Sequence, residues 1–475
     1  MQQDATVRKS GFGGPHAGSE IQIPADHPMN SSELIGLMTV TAADLPALSK
    51  LVLSQSAVAA AIKLATAGLG YVMFVVLAWA MEPAQYGQYA VGFNFAIVLS
   101  AVAGLGATTA ILRFMPQYRV QGRSDLARGV LVEGILLTFA ASFILALVVA
   151  FAPAMPFLSG HSAINALAAS ALLIPAFALS EYVSCALRAN SVTFWALVPR
   201  DIFWRSGVIV LALLAVGWGW HVSAAAGLLA TAFLLLAIVA LQSLLVLPLA
   251  FEGPRDVSHR REWYRTTMPM WASGVLFAMT QQLDVVVAAA FTSLEDAGAY
   301  FAAQKTASLL SLMPIAVGLV GASTIASHYH AGDMEGLRRL CSRMSLIITI
   351  PTLASFLGLA IAGSWLLELF DPSFGGAYGI LMILGFGALL GGLAGPTAYF
   401  LQMTGRERDY LKIMFLSYCL TLILQLVLGY HLGTNGIALG TTIGLAVLNI
   451  WPLFVIRRDF GVDTSVIGLL TGRKA

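Results

Sequence analysis

The sequence predicts an all-α, polytopic membrane protein, and three observations carry that prediction. Of its 475 residues, 58% are hydrophobic and 11% charged, with a mean hydropathy of +0.82. A soluble domain carries about 25% charged residues. Apolar runs recur along the chain, nearly all at or above the roughly 20 residues a helix needs to cross a bilayer core. The connections between them alternate between cation-bearing and cation-free, which is how loops sort on the two sides of a membrane.

Residues 1–50 form a polar tail rich in Gly, Pro, Ser and His, without an apolar core to fold around, and are expected to be disordered and cytoplasmic. Twelve apolar segments follow, at about 56–80, 88–112, 129–152, 163–187, 201–218, 223–248, 268–291, 299–323, 343–367, 376–402, 411–431 and 436–456. The fifth is short and is expected to start nearer Phe194. The first two form a hairpin whose turn, Glu82 to Ala90, holds no Lys or Arg. The loop after the hairpin holds Arg113, Arg119, Arg123 and Arg128.

The same sorting continues to the end of the chain. Arg188, Arg200 and Arg205 fall on the cation-bearing side. So do Arg255, Arg260, Arg261 and Arg265, then Arg338, Arg339 and Arg343, then Arg406, Arg408 and Lys412. With the cation-bearing side cytoplasmic, both termini are cytoplasmic. A missed or added helix would invert every later loop.

The charged stretch Glu252–Arg265 divides six segments from six. This gives an N-terminal lobe over residues 51–250, a cytoplasmic linker over 251–266, a C-terminal lobe over 267–458 and a tail over 459–475. The lobes repeat at an offset of 211. Gly87-Gln88-Tyr89 matches Gly298-Ala299-Tyr300, and Tyr118 matches Tyr329 (300 − 89 = 329 − 118 = 211). Six helices per repeat give both copies the same orientation, hence a pseudo-twofold along the membrane normal with a cavity between the lobes.

Outside this census and the two ends of the chain, only Lys63 and Lys305 remain, both inside apolar segments, where charge is expensive and usually functional. Lys63 lies roughly 10 Å deep, at about 1.5 Å per residue, and either faces a cavity or snorkels back to the cytoplasm. Lys305 and Asp284 fall at similar depth on neighbouring helices, as a structural ion pair, a functional pair, or both. The repeat puts Asn94 where Lys305 lies (305 − 211 = 94), polar but uncharged. Glu133 and Glu181, near Arg128 and Arg188, read first as rim salt bridges. With Asp284 they are also the candidates for coupling transport to an ion. Cys185, Cys341 and Cys419 lack ligand-like spacing and read as packing thiols. No metal site, cofactor motif or nucleic-acid-binding pattern is present, and no Walker A motif offers ATP as a driving force.

Several stretches carry a resemblance. Pro83-Ala-Gln-Tyr-Gly-Gln-Tyr-Ala90 resembles the first hairpin of the oligosaccharide flippase (polysaccharide transporter, Wzx-like) family. That family sits in the multidrug/oligosaccharidyl-lipid/polysaccharide (MOP) exporter superfamily, with lipid II flippases and multidrug and toxin extrusion transporters. Glu295-Asp-Ala-Gly-Ala-Tyr300 with Lys305, Leu401-Gln-Met-Thr-Gly-Arg-Glu-Arg408 and Gly433-Thr-Asn-Gly-Ile-Ala438 are similar to it too. The likeness covers about residues 50–460. It departs before the first turn, where Trp79 and Glu82 stand at customary Arg and Gly positions.

The resemblance implies an inner-membrane exporter of an undecaprenyl-pyrophosphate-linked oligosaccharide, working by alternating access around a cationic cavity. The family's cavity cations lie on the first, second and eighth helices, which carries over to Lys63, Asn94 and Lys305. It also implies a monomer serving capsule, O-antigen or exopolysaccharide synthesis beside a polymerase and export proteins. The rival is a cation-coupled multidrug or organic-cation antiporter of the same superfamily, for which Asp284 speaks. A membrane glycosyltransferase or polymerase needs catalytic groups placed outside the membrane, and the cation-free turns are too short to hold them.

Overall fold

The computed structural model describes residues 65–154, 167–251 and 253–466. The 1–50 tail, Lys63, Glu252 and the residues from 467 onward lie outside the described residues.

The first half begins with α1 (Ala65–Ala80), α2 (Pro83–Ala103), α3 (Ala107–Val120), α4 (Ser124–Phe151) and α5 (Leu173–Ala189). It continues through α6 (Thr193–Val198), a π-helical turn (Pro199–Phe203), α7 (Trp204–Gly217) and α8 (Ala224–Phe251). The second half holds α9 (Arg260–Phe291), α10 (Leu294–Ser308), α11 (Leu312–His330), α12 (Met334–Glu368), α13 (Tyr378–Ala394), α14 (Thr397–Met403) and α15 (Glu407–Phe460). Seven helices are long and apolar enough to cross a membrane, or eight if a bent pair over 294–330 is one span, among the described residues. The protein is therefore an all-α, multi-pass membrane protein.

Helix boundaries follow local chemistry. Pro83 opens α2, where a fixed φ and a missing N–H cost nothing. A capping box between Ser293 and Asp296 starts α10, and the Asp333 carboxylate caps α12 through the Gly336 N–H. The expected second segment (88–112) is broken: Leu105 and Gly106 take φ of 42° and 81°, so α3 leaves at a new angle. A Cβ at Gly106 would lie 2.8 Å from Thr267 Oγ1, so glycine there both turns the chain and admits α9. The last two segments are two helices, numbered together as α15 and separated by a kink at Gly433, φ 59°. The fifth indeed starts early, at Thr193. The charged linker is shorter than expected, because the chain is already helical from Arg260.

Three hydrophobic cores organise the helices. One draws on both halves, from Met73, Tyr86 and Tyr89 to Phe301, Phe370 and Ile437. The second belongs to the first half together with Trp263, and the third to the second half alone, from Ile325 to Val462. The shared core lies at the end that carries the turns before α2 and α10. There Gly87 and Gly298 meet backbone to backbone: a Cβ on Gly87 would sit 1.7 Å from the Leu294 carbonyl oxygen. Tyr86 packs against Phe301, Phe370 and Phe374 at 5.9, 6.3 and 5.9 Å between ring centres, and Trp79 Nε1 donates to the Leu369 carbonyl at 2.6 Å. Toward the opposite end each half has its own core, which leaves room between them.

One bond recurs at nearly the repeat offset. Tyr89 shares a hydrogen bond with Thr231 at 3.2 Å, and Tyr300 shares one with Thr441 at 3.4 Å. The linker docks on the first half: Asp256 N donates to the Asp125 carbonyl, Arg128 to the Pro254 carbonyl, and Trp263 Nε1 to Tyr118 Oη at 2.8 Å. Cys185, Cys341 and Cys419 are free thiols.

Candidate functional site: a cationic cavity between the halves

The space between the halves forms a cavity of about 870 Å³, walled by α1, α2, α5 and α7 on one side and α9, α10 and α11 on the other. Among the described residues its charged lining is Lys305, Arg200, Arg205 and Glu181, three cations to one carboxylate. Aromatic side chains, Tyr71, Phe74, Phe93, Phe177, Trp204 and Trp271, supply much of the remaining wall.

Lys305 projects from α10 across aromatic faces, its Nζ 4.9 Å from the Phe301 ring centre and 5.7 Å from that of Phe74. Quadrupole attraction holds an ammonium there while leaving its N–H donors for something else. It makes no ion pair within 4.0 Å among the described residues. Asp284 opens onto a second cavity of about 230 Å³, lined also by Gln281, Gln304, Tyr399, Thr441 and Asn449. Its carboxylate accepts from Gln304 Nε2 at 2.7 Å, the Val285 N–H at 3.0 Å and Tyr300 Oη at 3.3 Å. Gln425 donates to Thr441 at 2.8 Å and extends this polar network. The two charges do not touch, though each lies in the other's field.

Asn94, expected beside the cavity, is instead fully buried, and its Nδ2 donates to the Ala90 carbonyl at 2.7 Å. A backbone carbonyl one turn below offers the cheapest acceptor, so the side chain folds back onto α2. Glu133 pairs with Arg260 at 2.7 Å rather than with Arg128, whose guanidinium goes to the linker. Glu181 lines the large cavity, bonds Arg200 and lies 3.6 Å from Arg188. Lys63 lies outside the described residues.

Arg200 and Arg205 are cavity residues that the loop census concealed. The π turn over Pro199–Phe203 places them: it inserts an extra residue per turn, a device frequent at functional sites. Asp201, 5% exposed, anchors that turn, 3.6 Å from Arg200. Arg205 Nη1 donates to the Asp201 carbonyl at 2.5 Å, and its guanidinium lies 4.5 Å from the Trp204 ring centre. An acidic residue at the start of an apolar run, four residues before an arginine, was the available signal. No cluster of three or more His, Cys, Asp or Glu disposed to hold a metal occurs among the described residues.

The sequence and fold have known counterparts. The family described as polysaccharide biosynthesis protein matches residues 52–322, more than half of the chain. The succinoglycan biosynthesis transport protein ExoT of Rhizobium meliloti is 27% identical over 351 residues, 71% of this chain and 66% of that protein, so the match spans just under two thirds of the relative. An inward-facing multidrug resistance MATE family transporter of the MOP superfamily superposes with a TM-score of 0.63 at 16% identity, over 83% of this chain and 94% of that one. The lipid II flippase MurJ, in an inward closed conformation, gives 0.62 at 17% identity, over 86% and 90%. At such identities the two structures establish the fold. This multi-pass membrane protein therefore has the fold of MOP superfamily transporters, and it belongs to the polysaccharide biosynthesis protein family.

Proposed function

We propose that the protein is a flippase carrying a lipid-linked oligosaccharide diphosphate from the cytoplasmic to the outer leaflet of a bacterial inner membrane. The observation that carries this reading is the charge of the large cavity, three cations to one carboxylate among the described residues. An organic cation would meet net repulsion there, whereas a diphosphate would meet donors. Asp284, the buried acid that speaks for the antiporter, opens onto the smaller cavity instead. The aromatic walls suit sugar rings, and the named role of the relative ExoT points the same way.

In this reading the two halves act as lobes that rock about the Gly87–Gly298 contact, with both termini cytoplasmic. Lys63 and Lys305 successively hold the anionic head, and a polymerase and export proteins act on the product. Asp284 is the coupling candidate that fits best, because Glu133 and Glu181 are already engaged by arginines. The monomer suffices, since the cavity is built by one chain.

The test is a deletion strain assayed for surface polysaccharide and for lipid-linked precursor on each leaflet. The expected result is loss of polysaccharide with precursor trapped on the cytoplasmic leaflet. Rescue is expected from the wild type, in part from Lys305→Arg, and not from Lys305→Ala present at equal abundance. Intact polysaccharide with new sensitivity to cationic drugs would favour the antiporter.

A further inference from the structure

Arg205 stands apart from the other cavity arginine in how its donors are used. Arg200 is engaged by Glu181 and lies near the Asp201 carboxylate. Arg205 has no ion pair among the described residues. Its Nη1 is committed to the Asp201 carbonyl, and one face of the guanidinium lies on Trp204. Nε and Nη2, the two donors of one guanidinium edge, have no acceptor among the described residues. Gly70 faces this edge from α1: a Cβ there would lie 3.6 Å from Arg205 Nε, and anything larger would begin to cover it. Both residues line the cavity.

A planar group fixed at one edge and one face, with the Nε–Nη2 edge uncovered, is set up for two parallel hydrogen bonds to a phosphate. Lys305, on the opposite wall, offers a point charge without such directionality. We propose that Arg205 binds the diphosphate of the cargo through its Nε–Nη2 edge, with Gly70 as the opening that gives access to it. This inference rests on the flippase reading and adds a residue to it: the first half contributes a directional anion site, and Lys305 contributes the charge facing it. Trp204 and Asp201 act as positioning groups, because they fix the guanidinium and need not touch the cargo.

The experiment uses the full chain in lipid nanodiscs, with farnesyl diphosphate and farnesyl phosphate as probes in titration calorimetry. Wild-type protein is expected to bind the diphosphate more tightly than the monophosphate. Arg205→Gln should weaken diphosphate binding by about tenfold or more, the scale of losing a charge-assisted bidentate contact. Arg205→Lys should lose much of the preference for diphosphate while still binding monophosphate, because it keeps charge without the fork. Gly70→Val removes no charge and should weaken diphosphate binding comparably by covering the edge, which keeps the test open if Arg205→Gln fails to fold. Wild-type-like diphosphate binding by Arg205→Lys and Gly70→Val overturns the inference. If Lys305→Gln then abolishes binding, the flippase reading survives with the head on Lys305 alone. If wild-type protein binds neither probe, the flippase reading falls and this inference with it.

Discussion

Lys305 and Asp284, opposite charges on neighbouring helices, open onto different cavities and make no ion pair. Lys305 rests on Phe301 and Phe74, while Asp284 is satisfied by Gln304, Tyr300 and the Val285 N–H. Consecutive residues of α10, Gln304 and Lys305, point to the two sides.

Separate placement has a thermodynamic signature. Asp284→Asn and Lys305→Gln should each change stability in detergent, and because the charges attract without touching, the double variant should fall short of their sum by only a modest coupling term. A direct buried pair would instead cost roughly 3–5 kcal/mol on losing either partner, and much of that would return in the double variant. Thermal or denaturant unfolding of the four proteins distinguishes the cases, and strong non-additivity would contradict the arrangement.

The glycine crossing between the halves tolerates no side chain. Gly87→Ala puts a methyl 1.7 Å from the Leu294 carbonyl oxygen, so backbone must move. A loss of about 1–3 kcal/mol is expected, as for other overpacked contacts. Gly274→Ala is the control: it is helical with nothing within 4 Å, and should be neutral or stabilising by up to about 1 kcal/mol. Unfolding midpoints of the two variants check this, and equal effects would contradict the close approach.

The linker clamp should persist to low pH. The Ser258 N–H and hydroxyl hold Asp256 below its ordinary range, with Arg123 3.5 Å away. Asp125 is held down by its hydrogen bonds from Arg123. A depressed folded pKa stabilises above the unfolded value, about 3.9 for Asp, and the benefit is lost as pH falls through the lowered value. Hydrogen exchange at residues 253–259, corrected for intrinsic rates, should therefore be flat from pH 8 to about 5 and rise only below about 4. A rise near neutral pH would mean that other groups hold the linker.

Orientation is open to a labelling test. Cysteines introduced at exposed Glu295 and Ser373 should react with an impermeant thiol reagent added outside cells. Cysteines at Gly122 and His259 should react only after permeabilisation, as the sidedness of the cations requires. The reverse pattern would invert the proposed topology.

Hydropathy made the helices legible, because in lipid every backbone group must be satisfied within the segment. It hid their interruptions. Leu105 and Gly106 break an apolar run that stays apolar on both sides, whereas the break at Gly433 falls in the gap between the eleventh and twelfth segments. Positive-φ glycines leave no mark in a hydropathy profile when 45 glycines are present. Among the site residues, Lys305 was conspicuous as a cation surrounded by Ala and Gln. Arg200 and Arg205 were not, since their proximity to Arg188 filed them with loop cations. Only the π turn and the depth of Asp201 reveal that they line the cavity. Asn94 misled for a related reason: an offset assigns a position along a helix but not the direction in which the amide finds its acceptor.

The helix α9 is fastened at both ends to different bodies. Its first turns are tied to the first half, through Trp263 to Tyr118 and through Trp271 Nε1 to the carbonyls of Ala101 and Val102 at 3.0 and 3.2 Å. Its last turns carry Asp284, Val285 and Ala288 into contact with the second half and the shared core. Any displacement of one half against the other must then be taken up in the dozen or so residues between Trp271 and Asp284. In mechanical terms that stretch is a flexure, and its elastic constant would enter the barrier of the proposed rocking whatever the cargo. The same stretch is cavity wall, through Gly274, Val275, Phe277 and Gln282, so under the proposed rocking its stiffness and the shape of the binding space are set by the same residues.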